Sequence, residues 1–149
     1  MIELLHTDST HVDFQKLAAE LEKEIFVRDG ELADANYQLN KVGLMKNAMV
    51  LYVDKKAVAC GAFRDFSEDT IEIKRMYVSP VYRRNNFASK ILSELEGIAM
   101  KSGFKYAVLE TGKNQPEAIS LYLKHGYIEI EKFGKYIESV NSICFKKQL

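Results

Sequence analysis

A cluster of basic and amide side chains lies between an apolar stretch and an amphipathic one, over residues 77–90. Within it, Arg83 and Arg84 are followed by Asn85 and Asn86, directly before a helical pattern. The start of a helix offers unpaired backbone N–H groups and the positive end of the helix dipole, to which the two arginines add full charges. The stretch therefore predicts a binding site for an anionic group such as a phosphate.

The overall charge gives no sign of a large anionic partner. The 149 residues carry 21 basic and 21 acidic side chains, so no net field favours nucleic acid or an anionic membrane surface. Glu3 and Asp8 stand where a signal peptide would be basic and then apolar, and no apolar run reaches about 18 residues. We therefore expect one cytoplasmic domain over residues 1–149, without nucleic-acid or membrane partners.

Neither metal nor thiol chemistry is expected. Cys60 and Cys144 lie far apart in apolar, strand-like runs, with no C-x-x-C pair and no histidine at metal-ligand spacing. Each is expected to be a buried, reduced thiol. Neither has a basic neighbour that would activate it as a nucleophile, so a covalent enzyme intermediate is not expected.

The apolar periodicity predicts an α/β fold with a mixed sheet. Strands are predicted over residues 2–5, 48–53, 57–66, 70–78, 106–110, 127–130 and 142–145, and about four helices over 10–29, within 31–46, over 86–102 and over 116–125. The strands between residues 48 and 78 form an antiparallel meander, and residues 70–110 form a βαβ unit. Residues 31–46 are either a binding loop or a solvated connector.

The strand over residues 70–78 leads directly into the basic cluster. Strict alternation along it predicts two faces, one with Ile71, Ile73, Arg75 and Tyr77 and the other with Glu72, Lys74, Met76 and Val78. On this pattern Glu72 shares a face with the residues that precede the anion-binding turn.

Two motifs resemble the signatures of the GNAT superfamily of N-acetyltransferases. Residues 78–88, which contain Arg83-Arg84-Asn85-Asn86-Phe87-Ala88, resemble the acetyl-CoA signature R/Q-x-x-G-x-G/A. Residues 118–127, Ala-Ile-Ser-Leu-Tyr-Leu-Lys-His-Gly-Tyr, are similar to the second signature, A-x-x-L-Y-x-x-x-G-F/Y. The resemblance covers the chain from Met1 to about Phe145 and implies a GNAT-like fold with a splayed parallel pair of strands.

The resemblance implies acetyl-CoA as the acyl donor, without a metal. The pantetheine arm would pair with the free strand edge at Met76, Tyr77 and Val78, and the Met76 N–H would polarise the thioester carbonyl. The residues that the resemblance assigns to the pyrophosphate are Arg83, Arg84, Asn85, Asn86, Phe87, Ala88 and Ser89. Gln115 lies where relatives carry an asparagine that contacts pantetheine. Gln115 or its neighbour Asn114 could equally cap the following helix.

Two residues are expected to move protons. The resemblance places a carboxylate general base at Glu72, although Glu72 could instead pair with Lys74 or with a cross-strand cation. Tyr122 matches the tyrosine that protonates the departing thiolate in many relatives, because a phenol can hydrogen-bond the sulfur and donate to it.

The acetyl-CoA signature departs from the family pattern at Asn86, which replaces its first glycine. A glycine there lets the backbone approach a phosphate without an intervening Cβ, and asparagine tolerates the same left-handed conformation better than most residues. We therefore expect cofactor binding to be weakened but retained.

The acceptor is expected to be an amine of a small molecule or peptide. Mixed aromatic and polar residues from an early and a late loop are the candidate contacts, namely Arg28, Tyr37, Asn40, Phe133 and Tyr136. The last strands of this fold often pair between subunits, so a homodimer is compatible with the resemblance. A non-catalytic acyl-CoA sensor would share every cofactor contact but would not need Glu72 or Tyr122.

Overall fold

The computed structural model describes residues 1–30 and 43–149. Its strands are β1 (Ile2–Thr7), β2 (Asn47–Val53), β3 (Lys56–Asp65), β4 (Thr70–Val78), β5 (Tyr106–Gly112), β6 (Ile128–Ile130) and β7 (Ser142–Gln148). The α-helices of the described part are α1 (Val12–Asp29), α2 (Phe87–Lys101) and α3 (Pro116–Lys124), with short 3-10 helices at Pro80–Tyr82 and Gly134–Tyr136. The remaining predicted helix, within residues 31–46, falls mostly on residues outside the described part.

The seven strands of the described residues belong to one mixed sheet, in the order β1-β2-β3-β4-β5-β7-β6. The strands pair antiparallel except for β4 and β5, which are parallel and joined through α2. Asp54 and Lys55 connect β2 to β3 and both have positive φ, as a tight hairpin turn requires. The predicted meander and βαβ unit are thus confirmed.

The sheet has an apolar core on each face. On one face α2 and α3 pack against the central strands through a cluster that includes Ile71, Ile73, Ile91, Leu92, Leu95, Leu109 and Tyr122. On the other face α1 contributes Phe14 and Leu17, which pack in a cluster with Tyr77. The apolar stripe that the sequence predicts for each helix therefore faces the sheet.

A bulge in β4 makes the prediction of strict alternation wrong. Cys60 pairs with Tyr77 while Ala62 pairs with Lys74, so β4 carries one residue more than β3 over this interval. Arg75, inside the bulge, has φ +60°. The extra residue shifts the alternation by one. Tyr77 consequently belongs to the α1 core, whereas Met76 and Val78 pack with Ile71 and Ile73 against α2.

Gly61 lies opposite this bulge and provides a test of how tightly the bulge packs. A Cβ on Gly61 would overlap Met76 Sδ and lie 2.9 Å from Ile91 Cγ2. We expect Gly61→Ala to lower the free energy of unfolding by about 1–3 kcal/mol in urea denaturation, because the neighbours must shift. Gly97→Ala is the matched control, since a Cβ there has no neighbour within 4 Å and alanine favours the helix. Equal stability of Gly61→Ala and wild type would contradict this packing.

Candidate active site

The sheet opens between β4 and β5. The two strands pair from Thr70↔Tyr106 to Ile73↔Leu109, although β4 continues to Val78 and β5 to Gly112. A cavity of about 680 Å³ lies at the diverging ends and is bounded by α1 on one face and by the starts of α2 and α3 on the other. The structure therefore contains the splayed parallel pair that the resemblance implied.

The start of α2 forms one wall of this cavity. Asn86 is the N-cap residue, with φ +61° and ψ 23°, and its side chain makes no capping hydrogen bond. It has the left-handed conformation that the sequence predicted for the position of the missing glycine. The first backbone N–H groups of a helix have no partner within the helix. Those of Phe87, Ala88 and Ser89, all cavity-lining residues, are thus available to a ligand.

Most residues predicted to bind the cofactor line this one cavity. They are Met76, Tyr77, Val78, Arg83, Arg84, Asn86, Phe87, Ala88, Ser89, Gln115 and Tyr122. Asn85 is not among the lining residues. Its Nδ2 donates to the carbonyl oxygens of Tyr82 at 2.9 Å and Arg83 at 3.3 Å, so the side chain stabilises the turn before α2.

The two arginines of the turn have different surroundings. Arg83 Nε donates to the Val78 carbonyl at 2.9 Å, and its Nη2 lies 2.7 Å from Glu24 Oε1 on α1. Arg83 therefore connects the end of β4 to α1 and already binds one of the carbonyls that the sequence predicted to be free. Arg84 forms no ion pair with any other residue of the described part, so its charge is available to an anion.

Arg28 connects α1 to α3. Its guanidinium binds both carboxylate oxygens of Glu117, at 2.7 and 2.8 Å, and its Nη1 donates to Gln115 Oε1 at 2.9 Å. Arg28 is not among the cavity-lining residues, so the structure does not support its predicted contact with a substrate. Gln115 is only 8% exposed and its Nε2 has no partner. Because Arg28 occupies the oxygen, the amide presents an unpaired N–H donor.

Tyr122 is buried in the α3 face of the cavity. Its ring packs edge-on against Tyr127, with centroids 5.7 Å apart, and no residue of the described part hydrogen-bonds its hydroxyl. Burial raises the pKa of Tyr122 well above its ordinary value, and the negative charge of Glu110 raises it further. The phenol is consequently protonated at neutral pH and can act as a proton donor.

Glu72 lies outside the cavity lining. Its carboxylate is fully buried, with Oε1 accepting from Arg64 Nε at 2.7 Å and Oε2 accepting from the Tyr136 hydroxyl at 3.1 Å. Lys74 Nζ is 3.8 Å from the same Oε2. Arg64 stands directly opposite Glu72 in the β3–β4 register. Glu72 was predicted to be either a general base or an ion-pair partner. The structure shows it paired with Lys74 and with Arg64, a cross-strand cation.

Glu110 is a cavity-lining carboxylate at the β4–β5 opening that the sequence prediction missed. Glu110 and Lys74 are the residues directly after the last β4–β5 pair, and both line the cavity. Ser142 Oγ donates to Glu110 Oε2 at 2.6 Å and holds the carboxylate in place. The sequence did contain a pattern that could have identified Glu110. It is the first charged residue after the apolar run 107–109, and ligands bind at the carboxyl ends of parallel strands.

The structure does not bring the remaining predicted substrate contacts to the cavity. Tyr136 is buried, and its hydroxyl contacts Glu72 and Lys74, the latter at 2.8 Å. Phe133 packs edge-on against Tyr136, with centroids 5.5 Å apart. Neither residue is among those that line the cavity. Tyr37 and Asn40 lie outside the described residues.

Two structural features are absent from residues 1–30 and 43–149. Within these ranges no group of three or more His, Cys, Asp or Glu side chains is placed to hold a metal ion. In the same residues no helix has the length and apolar character needed to cross a membrane. Cys60 and Cys144 are free and buried.

The burial of Lys74 predicts a pH dependence of stability. Burial lowers the pKa of Lys74 from its ordinary value to about 8, while Glu72 opposes the shift. Between pH 8 and 10 the unfolded chain therefore holds a proton on Lys74 that the folded protein releases, so Lys74 contributes to the free energy of unfolding a rise with pH of up to about 1.4 kcal/mol per unit. We expect Lys74→Met to remove this rise in urea denaturation. Parallel pH curves for the variant and wild type would contradict it.

Comparisons with known proteins agree with this geometry. An IAA acetyltransferase from Azospirillum brasilense is 31% identical over 121 residues, which cover 78% of this chain and 79% of the relative. A Klebsiella pneumoniae structure assigned as an acyl-CoA N-acyltransferase has a TM-score of 0.81 at 28% identity, covering 100% of this chain and 98% of its own. PaiA N-acetyltransferase from Thermoplasma acidophilum, solved with coenzyme A, shares the fold at 17% identity, with a TM-score of 0.77 and coverage of 100% and 99%. The family model described as Acetyltransferase (GNAT) family matches residues 14–127, and the chain therefore belongs to that family of acyltransferases.

Proposed function

We propose that this protein is an N-acetyltransferase that moves the acetyl group of acetyl-CoA directly to a primary amine of a small molecule or peptide. The observation that carries the proposal is one continuous cavity that joins the anion-binding start of α2 to Tyr122 and Glu110 through the opening between β4 and β5. The coenzyme A in the Thermoplasma acidophilum structure supports the choice of donor.

The residues of the cavity fit acetyl-CoA from its pyrophosphate to its thioester. The N–H groups at the start of α2 and the charge of Arg84 would hold the pyrophosphate. The β4 edge beyond Ile73 has no strand partner on the β5 side and would pair with the pantetheine arm. The buried, unpaired Nε2 of Gln115 needs an acceptor, and an amide carbonyl of that arm would supply one. When bound, acetyl-CoA provides the acetyl group as a thioester.

Of Glu72 and Glu110, Glu110 is the better-placed proton acceptor for the incoming amine. An ammonium must lose a proton before its nitrogen can attack a thioester. Glu110 lines the cavity, whereas both oxygens of Glu72 are occupied outside it. We therefore assign the general-base role that the sequence placed on Glu72 to Glu110, and assign Glu72 the role of ordering Arg64 and Tyr136.

Tyr122 would act on the departing sulfur, and the β4 backbone would act on the thioester carbonyl oxygen. As the new C–N bond forms and the C–S bond breaks, the Tyr122 hydroxyl would donate its proton to the departing sulfur. The bulge at Arg75 removes backbone groups from the β3 ladder, and the Met76 N–H beside it would stabilise the developing charge on the carbonyl oxygen. Direct transfer requires no covalent enzyme intermediate, because holding both reactants in line supplies much of the rate.

Asn86 sets the strength of cofactor binding. Its backbone has the geometry that glycine adopts without cost, but its Cβ stands where a phosphate would approach. We expect Asn86→Gly to lower the Kd for acetyl-CoA about fivefold in isothermal titration calorimetry, a gain of roughly 1 kcal/mol. A glycine variant that binds no better would show that the asparagine side chain is neutral or makes a contact of its own.

The two assigned proton-transfer groups should affect turnover more than binding. We expect Glu110→Gln and Tyr122→Phe each to lower kcat about a hundredfold while the Kd for acetyl-CoA changes by no more than about twofold. Glu94→Gln, the same chemical change on the exposed face of α2, is the matched control and should keep full activity. Unchanged kcat in either active-site variant would remove that residue from the mechanism.

The proposed reaction can be tested by measuring the release of free CoA with a panel of amino acids, polyamines, aminoglycosides and peptides. We expect at least one amine to produce CoA and the corresponding acetamide at equal rates. Tight binding of acetyl-CoA without acetylation of any amine would instead indicate a non-catalytic acyl-CoA sensor.

A further inference from the structure

A small recess lies at the end of β5, beside Gly112. If Gly112 had a Cβ, that atom would lie 3.5 Å from Asn141 Nδ2, 3.6 Å from Asp29 Oδ2 and 3.6 Å from Gln115 Cγ. Asp29, Gly112 and Gln115 also line the main cavity. We call this space, bounded by these four residues, the Gly112 recess. Gly112 has no side chain to fill the recess, and a Cβ there would meet its neighbours at ordinary contact distances.

Asn141 presents an unpaired donor to the recess. The residue is only 5% exposed, and its Nδ2 has no hydrogen-bond partner. Its backbone is held in place, because its carbonyl accepts from the Lys113 N–H at 2.9 Å. A buried donor left unpaired is costly, so its presence calls for a partner. An oxygen of a bound molecule in the recess would be that partner.

Asp29 presents a carboxylate oxygen to the recess, and Glu110 lines the same cavity. Glu110 precedes Gly112 by two residues and therefore lies on the same face of β5, about 7 Å away along the strand. Asp29 accepts from Asn114 Nδ2 at 3.1 Å through Oδ1, while its Oδ2 is the oxygen at the recess. Two negative charges favour a cationic group. The recess thus combines attraction for an ammonium with one donor for a nearby oxygen.

We propose that the Gly112 recess selects acceptors that carry an α-aminocarbonyl group, that is, a primary amine one carbon away from a carbonyl or carboxylate oxygen. The ammonium lies between Glu110 and Asp29, and the oxygen accepts from Asn141 Nδ2. A free amino acid, an amino acid amide and the first residue of a peptide all contain this group. The inference rests on the proposed acetyl transfer and narrows its acceptor.

Asn141→Leu tests the hydrogen bond, since leucine has the same branched shape and number of heavy atoms but no donor. Glycinamide carries the α-aminocarbonyl group, and propargylamine is an amine of comparable basicity without a carbonyl oxygen. We expect Asn141→Leu to lower kcat/KM about tenfold for glycinamide and to leave kcat/KM for propargylamine unchanged. An equal effect on both acceptors, or on neither, would overturn the proposal.

Gly112→Ala tests the recess itself. The added Cβ would meet its neighbours at ordinary contact distances, so the fold should tolerate it, but it would occupy the space. We expect the KM for glycinamide to rise about tenfold while the KM for acetyl-CoA and the thermal midpoint stay unchanged. Gly97→Ala, with open space around its Cβ, should behave as wild type. An unchanged KM for glycinamide in Gly112→Ala would contradict the assignment.

An acceptor panel separates this inference from the proposed reaction. Glycine, glycinamide and glycylglycine distinguish a free carboxylate, a neutral carbonyl and a peptide as the preferred source of the oxygen. We expect the wild-type kcat/KM for at least one of these three acceptors to exceed that for propargylamine by at least about tenfold. Equal values for all four would overturn only the acceptor assignment. Failure to acetylate any amine, despite binding of acetyl-CoA, would overturn the proposed reaction as well.

Discussion

The loss of pairing between β4 and β5 beyond Ile73 and Leu109 is the constraint on which the rest of the structure depends. Each backbone N–H or C=O that leaves a sheet must find water, a side chain or a ligand, or it costs about 1–3 kcal/mol when buried. Two ion pairs between the surrounding elements help to hold the opening in place. The Arg83–Glu24 ion pair holds α1 to the end of β4, and the Arg28–Glu117 pair holds α1 to α3. Together these pairs connect the walls on both sides of the gap.

The charges near the opening divide into a structural set and an accessible set. Glu72 is enclosed by Arg64 and Tyr136 on the α1 side of the sheet, so removing it would take away the carboxylate that pairs with Arg64 and lies 3.8 Å from the buried Lys74 ammonium. Glu110 stands on the neighbouring strand, at the cavity wall, where Ser142 orients it. A carboxylate at the opening can exchange protons with a ligand, whereas one enclosed by ion pairs serves the fold. The register of the strands decides which acid lies at the opening and which is enclosed.

The sequence predicted the features that depend on local pattern. Strand and helix order follows from apolar periodicity, and the left-handed conformation of Asn86 follows from the residue types that tolerate it. The bulge at Arg75 could not be predicted, because one extra residue in a strand leaves no signature in composition. It reversed the faces of Met76 and Tyr77. The roles of Glu72 and Glu110 depend on which residues face each other across strands, information that alternation along one strand does not contain.

The most direct test of the account is amide hydrogen–deuterium exchange with and without coenzyme A. If the open edge of β4 holds the pantetheine arm and the start of α2 holds the pyrophosphate, coenzyme A should slow exchange at residues 74–78 and 86–90. Residues 2–7 of β1, far from the opening in the strand order, should be unaffected. Binding of coenzyme A with exchange unchanged at both segments, or slowed only elsewhere in the chain, would contradict the claim that the gap between β4 and β5 is the cofactor site.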